Sequence, residues 1–130
     1  MKASSRKNIS SGVHWEALVG YSRAVRIGNF VEVVGTVAVE DGEVVAPGDS
    51  YKQTVFILDK IEKSLLRAGA EMKDVVRTRI YVTNIKNWQE VGRAHGEYFN
   101  KIRPVTTMVE VSALINPEYL VEIEASAIIE

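Results

Sequence analysis

The sequence lacks cysteine and is poor in histidine. None of its 130 residues is a cysteine, which excludes disulfide bonds, Cys-ligated zinc, iron–sulfur clusters and thiol nucleophiles. The two histidines, His14 and His95, lie far apart in the chain and neither belongs to an H-x-x-E pattern, so a metal site is only weakly indicated. We therefore expect neither a metal nor any other cofactor.

The sequence also lacks an excess of charge of either sign. It has 16 Lys and Arg residues against 17 Asp and Glu residues, whereas proteins that neutralise phosphates are usually strongly basic. No apolar run follows the basic residues near the N-terminus, so neither a signal peptide nor a membrane span is predicted. We expect a cytoplasmic protein without nucleic-acid or membrane partners. It forms a single domain, residues 1–130, in which residues 1 to about 11 are a flexible segment.

Turn residues and apolar spacing divide the chain into strands and helices. The pattern predicts strands at 21–27, 30–39, 75–82, 105–114 and 119–129, and a short run at 43–46. Ser50-x-x-Gln53 is a capping box that begins a helix ending near Gly69. A second helix begins after Asn87 and carries an apolar stripe, which consists of Trp88, Val91, His95 and Phe99. The order β-β-α-β-α-β-β predicts an α+β sandwich with two helices on one face of a mixed sheet.

Two helices can cover only one face of such a sheet. The alternation predicts that Val105, Thr107 and Val109 face the helices, and that Thr106 lies on the opposite face with Glu122. Because that second face is also partly apolar, we expect it to pack against another copy of the chain. The sequence thus predicts a homo-oligomer with a pocket shared between subunits.

Two carboxylates on one strand are the most reactive groups on this second face. Glu122 and Glu124 are separated by about 6.8 Å along a strand and repel each other unless a cation lies nearby. Arg77 and Arg79 are the expected counter-ions. One interpretation is an interface network of ion pairs, and the other is a cleft in which a partly buried carboxylate orients a water molecule.

Several stretches of the sequence resemble the RidA/YjgF family. They are Gly20-Tyr21-Ser22, Val34-Gly35-Thr36, the helix end at 65–70, the strand and turn at 75–85, and the closing pattern at 103–111 and 121–125. The resemblance implies a chorismate-mutase-like fold and a homotrimer with small-molecule ligands bound in clefts between subunits. Members of this family hydrolyse 2-imino acids or their enamine tautomers without a metal or cofactor.

The resemblance also implies which residues line the cleft. Tyr21 matches the family's pocket tyrosine, Glu122 matches its water-orienting glutamate, and Gly35 belongs to the same substrate-binding set. The family's carboxylate-binding arginine is replaced by Thr106, and two further polar positions are Val34 and Gly92.

The loss of the arginine removes a bidentate charged contact, which costs on the order of 1.5–3 kcal/mol or more in binding a carboxylate. Arg23, two residues after Tyr21, is the candidate replacement on the same strand face. The alternative is that Arg23 only pairs with a nearby carboxylate. Glu16, beside Trp15, is also within reach of this cleft.

Two functions of different classes follow from these residues. The first is a hydrolase or deaminase of an imine, enamine or related carbonyl compound, in which Glu122 is the catalytic residue and Tyr21, Arg23, Thr106 and Gly35 bind the substrate. The second is a non-catalytic ligand-binding or regulatory trimer. A third function, endoribonuclease or translation inhibitor, is attached to parts of the family but receives little support from the charge balance.

Overall fold

The computed structural model describes residues 5–130. In chain order its strands are β1 (Lys7–Ile9), β2 (Ala24–Ile27), β3 (Phe30–Thr36), β4 (Val39–Glu40), β5 (Glu43–Val44), β6 (Val75–Val82), β7 (Val105–Glu110) and β8 (Val121–Ile128). Six of them form one sheet in the order β1-β2-β3-β8-β6-β7, and β4 pairs with β5. β6 and β7 are parallel, whereas the other neighbours in the large sheet are antiparallel. The sheet is therefore mixed, as predicted.

Two long helices cover one face of this sheet. They are α2 (Ser50–Arg67) and α3 (Trp88–Phe99), while the short α1 (His14–Val19) follows β1. α2 packs against α3, β3 and β8. The core between helices and sheet is aliphatic and includes the fully buried Ile57, Leu58, Ile61, Leu65, Ile80, Val121 and Ile123. No comparable layer covers the opposite face within residues 5–130, and we call this the open face.

The start of α2 differs from the predicted capping box. Asp49 is the N-cap, and its carboxylate accepts the backbone N–H of Lys52 at 2.9 Å. Ser50 instead donates to Glu90 of α3 at 2.9 Å. The predicted helix end is confirmed, because Gly69 has φ +85° and the N–H of Ala70 bonds the carbonyl of Leu65.

Gln53 explains why the capping box was wrong. Its side chain is fully buried and is used to fix the loop before β8, not to cap the helix. The amide donates to the carbonyls of Glu118 at 3.0 Å and Ala46 at 3.3 Å. The side-chain oxygen accepts the N–H of Leu120 at 2.9 Å. All of these backbone groups lose a partner if Gln53 is replaced by an apolar residue.

Gln53→Leu is therefore expected to lower the free energy of unfolding by about 3 kcal/mol, because each unsatisfied buried group costs about 1–3 kcal/mol. Chemical denaturation of the wild type and the variant measures the difference. The matched control is Gln89→Leu, on the exposed side of α3, which is expected to change little. Equal stability of Gln53→Leu and the control would contradict the assigned role.

The N-terminal segment was predicted to be flexible to about residue 11. Residues 1–4 lie outside the described part of the chain, but Lys7–Ile9 form β1 and pair with β2. Ile9 is 5% exposed and belongs to the core. The alternation of this segment is too short to recognise in the sequence, and the pairing with β2 creates the strand.

The face assignment of β7 was wrong. The structure places Thr106 on the helix side, since its hydroxyl lies 2.9 Å from that of the buried Thr78. Val105 and Val109 pair with Arg77 and Tyr81 on the open face and are largely exposed. β7 is an edge strand, so one chain does not bury its valines, and their apolar character misled the prediction. β7 also ends at Glu110, four residues before the predicted end.

Two other apolar side chains are exposed, and the second of them, Trp88, was predicted to lie on the apolar stripe of its helix. Val76 is 41% exposed because the register between β6 and β8 shifts between Val75 and Arg77, which places Val75 in the core instead. Trp88 is 53% exposed at the first turn of α3. Asn87 precedes that helix as predicted but makes no side-chain cap bond.

Candidate functional site

The open face carries the charged cluster at the centre of the sheet. Arg79 of β6 stands opposite Glu124 of β8, and Tyr81 stands opposite Glu122. The Tyr81 hydroxyl donates to Oε1 of Glu124 at 2.9 Å, and Nη1 of Arg79 lies 3.5 Å from the same oxygen. The hydrogen bond to Glu124 is the main cause of the raised pKa of Tyr81. Glu124 is therefore a structural carboxylate, and Arg79 is its counter-ion as expected.

Glu122 has a different environment from Glu124. Its carboxylate makes no hydrogen bond or ion pair with any of residues 5–130. Burial of the carboxyl group, and secondly the charge of Glu124, raise its pKa above the usual range. A carboxylate that is partly desolvated and not engaged by a partner is suited to accept a proton from water.

Gly35 is the residue against which the Glu122 carboxylate packs. A Cβ atom built on Gly35 would overlap Oε2 of Glu122. The backbone of Gly35 lies where β3 departs from regular pairing with β8, between Val33 and Thr36. The structure thus brings together Gly35 and Glu122, two of the residues predicted for the site.

A groove of about 640 Å³ extends along the open face beside this cluster. Tyr21 lines it, together with Glu16, Ser22, Glu32, Arg79 and Glu124. Glu16 is buried and is held by the backbone N–H and the hydroxyl of Ser11. Burial raises the pKa of Glu16, but the hydrogen bonds from Ser11 and Ser10 and the charge of Arg23 together outweigh it, so the net shift is downward and the carboxylate stays charged. The sequence placed Glu16 within reach of the cleft, and the structure puts it in the wall of the groove.

Arg23 does not line this groove. Its Nη1 donates to Thr36 Oγ1 at 2.7 Å, and Thr36 is fully buried opposite the core residue Ile123. Burial of the guanidinium lowers the pKa of Arg23. The two-residue spacing predicted a shared face with Tyr21, but Tyr21 and Arg23 precede β2, and regular alternation does not apply there.

Thr106 lies on the opposite side of the sheet from Glu122. Its hydroxyl contacts Thr78 Oγ1 at 2.9 Å, and Thr78 Oγ1 contacts Nε2 of His95 on α3 at 2.9 Å. Strand β6 also separates β7 from β8. The prediction that Thr106 shares a face with Glu122 was therefore wrong, because the parallel pairing of β7 with β6 sets the opposite phase. Thr78 was missed by sequence reasoning, although a threonine on the apolar face of a strand was a signal for a buried hydrogen bond.

Residues 5–130 contain neither a metal-binding cluster nor a membrane-spanning helix. No group of three or more His, Asp or Glu side chains in this part of the chain is placed to hold a metal ion. None of its helices is long and apolar enough to cross a membrane.

Two helices on one face of a mixed sheet form an α+β sandwich, which is of the chorismate-mutase-like class found in the solved YjgF/UK114-family structures. The sequence profile of the Endoribonuclease L-PSP family matches residues 12–129. The chain belongs to this family, which is also called the RidA/YjgF family, and the predicted resemblance is confirmed.

Relatives and solved structures agree with this assignment. A Mycobacterium tuberculosis member of the YjgF/YER057c/UK114 family has 55% sequence identity and a TM-score of 0.88, covering 96% of this chain and 100% of that one. An uncharacterized protein of Streptomyces coelicolor is 34% identical over 98% of this chain and 95% of its own length. The 3-aminoacrylate deaminase RutC of Acinetobacter baylyi is 32% identical over 85% of this chain and 87% of its own length.

Proposed function

We propose that this protein is a homotrimer that binds a small molecule in clefts between subunits and hydrolyses its imine or enamine group. The observation that carries the proposal is the placement of Glu122 and Thr106 on opposite faces of one sheet. One chain cannot bring these residues to one ligand. A neighbouring copy can do so, if its edge strand β7 approaches the open face of the first chain.

Exposed apolar side chains support an oligomer. Phe30, Val105, Val109 and Ile128 lie on the open face and are 43%, 56%, 42% and 47% exposed. Apolar side chains gathered on an uncovered sheet face mark an interaction surface. Light scattering at micromolar concentration is expected to give the mass of a trimer, and a monomeric mass would contradict the proposal.

The reaction requires a positioned water and a proton acceptor. Glu122 accepts a proton from water as the water oxygen adds to the carbon of C=N, and it passes that proton to nitrogen, which gives a carbinolamine. Glu122 then moves the proton of the carbinolamine hydroxyl to nitrogen, the C–N bond breaks, and ammonia and the carbonyl compound leave. An enamine first becomes an imine by protonation at carbon. In this proposal Tyr21, which lines the groove, donates a hydrogen bond to the substrate. Gly35 lets the substrate approach the backbone beside Glu122, and no cofactor is needed.

The name of one relative supports this reaction class. The Acinetobacter baylyi protein is a 3-aminoacrylate deaminase, and 3-aminoacrylate is an enamine. We do not propose ribonuclease activity for this chain. The open face carries Glu32, Glu122 and Glu124 beside Arg77 and Arg79, and this balance of charges does not favour a polyanion. A cytoplasmic location, and the lack of nucleic-acid and membrane partners, stay predictions.

The second candidate function is a ligand-binding trimer without catalysis. It is favoured by Thr106, because a neutral hydroxyl occupies the position where the family's arginine binds the substrate carboxylate. Arg23, the candidate replacement, is engaged by Thr36. In this alternative the cleft binds its ligand and Glu122 orients water without turnover.

Substitution of Thr106 by Arg separates the two functions. An imine is formed from 2-aminobutanoate by an amino-acid oxidase, and its removal is followed in the presence of wild type or variant. We expect the wild type to clear this carboxylate-bearing imine slowly, and Thr106→Arg to raise kcat/KM by about 10-fold or more, from an added charged hydrogen bond. The matched control is Gln89→Arg, on the exposed side of α3. Clearance by the variant alone would favour the non-catalytic function, and clearance by neither would overturn the deaminase.

A further inference from the structure

A chain of hydrogen bonds leads from α3 to the edge of the sheet. Nε2 of His95 lies 2.9 Å from Thr78 Oγ1, which lies 2.9 Å from Thr106 Oγ1. Thr106 Oγ1 in turn lies 3.3 Å from the carbonyl oxygen of Pro104. Thr78 is fully buried, and the His95 ring packs against Phe99 with ring centroids 4.6 Å apart. Only Thr106, at the far end, is exposed to a ligand.

The number of available protons decides which group donates and which accepts in each of these hydrogen bonds. Each hydroxyl has one proton, and the carbonyl oxygen of Pro104 can only accept. All the contacts are hydrogen bonds only if His95 Nε2–H donates to Thr78, Thr78 donates to Thr106, and Thr106 donates outward. In the reverse direction the contact between Thr106 and Pro104 has no proton between its two oxygens. The outward direction makes Thr106 a donor.

We propose that His95 is a positioning residue that acts through Thr78 to hold Thr106 as a hydrogen-bond donor to an uncharged carbonyl or amide oxygen of the ligand. The location of the ligand rests on the proposed function. The bond from Thr106 to Pro104 is long and exposed, so a ligand oxygen can take the place of the Pro104 carbonyl at little cost.

The preference for an uncharged group follows from the charges around the chain of hydrogen bonds. Burial lowers the pKa of His95, and no charged group among residues 5–130 contributes to that shift. The imidazole is therefore neutral at pH 7. A ligand carboxylate at Thr106 would meet a neutral hydroxyl that no cation among residues 5–130 of its own chain contacts, and burying a charge without a partner is costly. An amide or ketone oxygen loses much less on leaving water.

The first test needs no ligand. Nitrogen-15 NMR of the imidazoles distinguishes a protonated from an unprotonated ring nitrogen, and the His95 signals are assigned by their absence in His95→Gln. We expect the proton of His95 on Nε2 at pH 7. A proton on Nδ1 with Nε2 free would overturn the outward chain of hydrogen bonds, whatever the protein binds.

The second test compares 2-oxobutanamide with 2-oxobutanoate, which differ in the replacement of the carboxylate by an uncharged amide. Calorimetry is expected to show tighter binding of the amide to the wild type. Thr106→Val, Thr78→Val and His95→Phe are each expected to weaken amide binding by about fivefold, the value of one hydrogen bond. The double variant Thr78→Val/Thr106→Val is expected to lose no more than either single variant.

Two control variants distinguish a positioning role of His95 from a purely structural one. His95→Gln keeps a donor N–H and is expected to retain amide binding within about twofold. Gln89→Leu removes a polar side chain from the exposed side of α3 and is expected to have no effect. Tighter binding of the carboxylate, or normal amide binding by Thr78→Val and His95→Phe, would overturn the inference. If Nε2 is protonated but neither probe binds, the proposed cleft is wrong and the assigned ligand is overturned with it.

Discussion

Replacement of Glu122 by Gln is expected to abolish turnover while making the folded protein more stable at neutral pH. The amide has the shape of the carboxylate but cannot accept a proton from water, so imine clearance falls by about 100-fold or more. The stability change follows from the raised pKa of Glu122, which is caused first by burial and then by the charge of Glu124.

The sign of the pH dependence is fixed by that direction. A carboxyl group whose pKa is higher in the folded state favours folding when it is protonated, and this contribution is lost as pH rises through the folded pKa. Glu122→Gln therefore melts at a higher temperature than the wild type at pH 7. The difference disappears below the ordinary pKa of 4.5. Thermal melting at several pH values measures it.

Glu118→Gln is the control for this experiment. Glu118 is exposed in the loop before β8, and its replacement is expected to leave both turnover and melting temperature unchanged. A Glu122→Gln variant that retains turnover would remove Glu122 from the reaction. A variant that is less stable than the wild type at pH 7 would contradict the assigned environment of the carboxylate.

Gly35→Ala is expected to lower turnover by about 100-fold without unfolding the protein. The new Cβ would overlap Oε2 of Glu122, and the flexible carboxylate must move away from the position in which it orients water. A displacement of about 1 Å at a reacting group costs on the order of 100-fold in rate. Gly35 does not have a positive φ, so the backbone accepts alanine. Kinetics and thermal melting together test this expectation.

Two variants make the explanation specific. Shortening the carboxylate with Glu122→Asp in the Gly35→Ala background leaves room for the methyl group and is expected to restore part of the activity. Gly96→Ala, on α3, meets no atom within 4 Å and is expected to keep full activity. If Gly35→Ala is as active as the wild type, the contact with Glu122 does not position the carboxylate.

Strands and helices with regular apolar spacing, bounded by clear turn residues, were predictable from the sequence. The bounds of β6 were predicted as Val75–Val82 and are observed as such, because period-two alternation is regular from Arg77 to Val82, after the register shift near Val75. The predicted strands at 21–27 and 30–39 leave Gly28 and Asn29 between them, and these two residues form the turn of a hairpin, since Ile27 pairs with Phe30 and Gly28 has φ +57°. Glu122 and Gly35 were predicted together and are in contact.

The residues whose positions were not predicted correctly depend on contacts between segments that are distant in the sequence. The parallel register with β6 decides which residues of β7 face the helices. Because the valines of β7 are exposed in one chain, the apolar pattern of the strand does not reveal which of its faces is buried. Arg23 was predicted to share a face with Tyr21 from a spacing that holds only inside a regular strand, and both residues precede β2. The bonds of Thr78 with His95 and Thr106 join three separate elements, so no local pattern could reveal them.

The proposed site takes Glu122 from one subunit and Thr106 from its neighbour. Chains carrying Glu122→Gln or Thr106→Trp, with different affinity tags, are co-expressed, and mixed trimers are purified on both tags. Each variant alone is expected to be inactive, the second because the indole fills the cleft. In a cyclic trimer, every mixed assembly contains a single site with both residues intact, so turnover recovers to about one third of wild type. Mixed trimers without turnover, or full activity of Thr106→Trp alone, would contradict the claim.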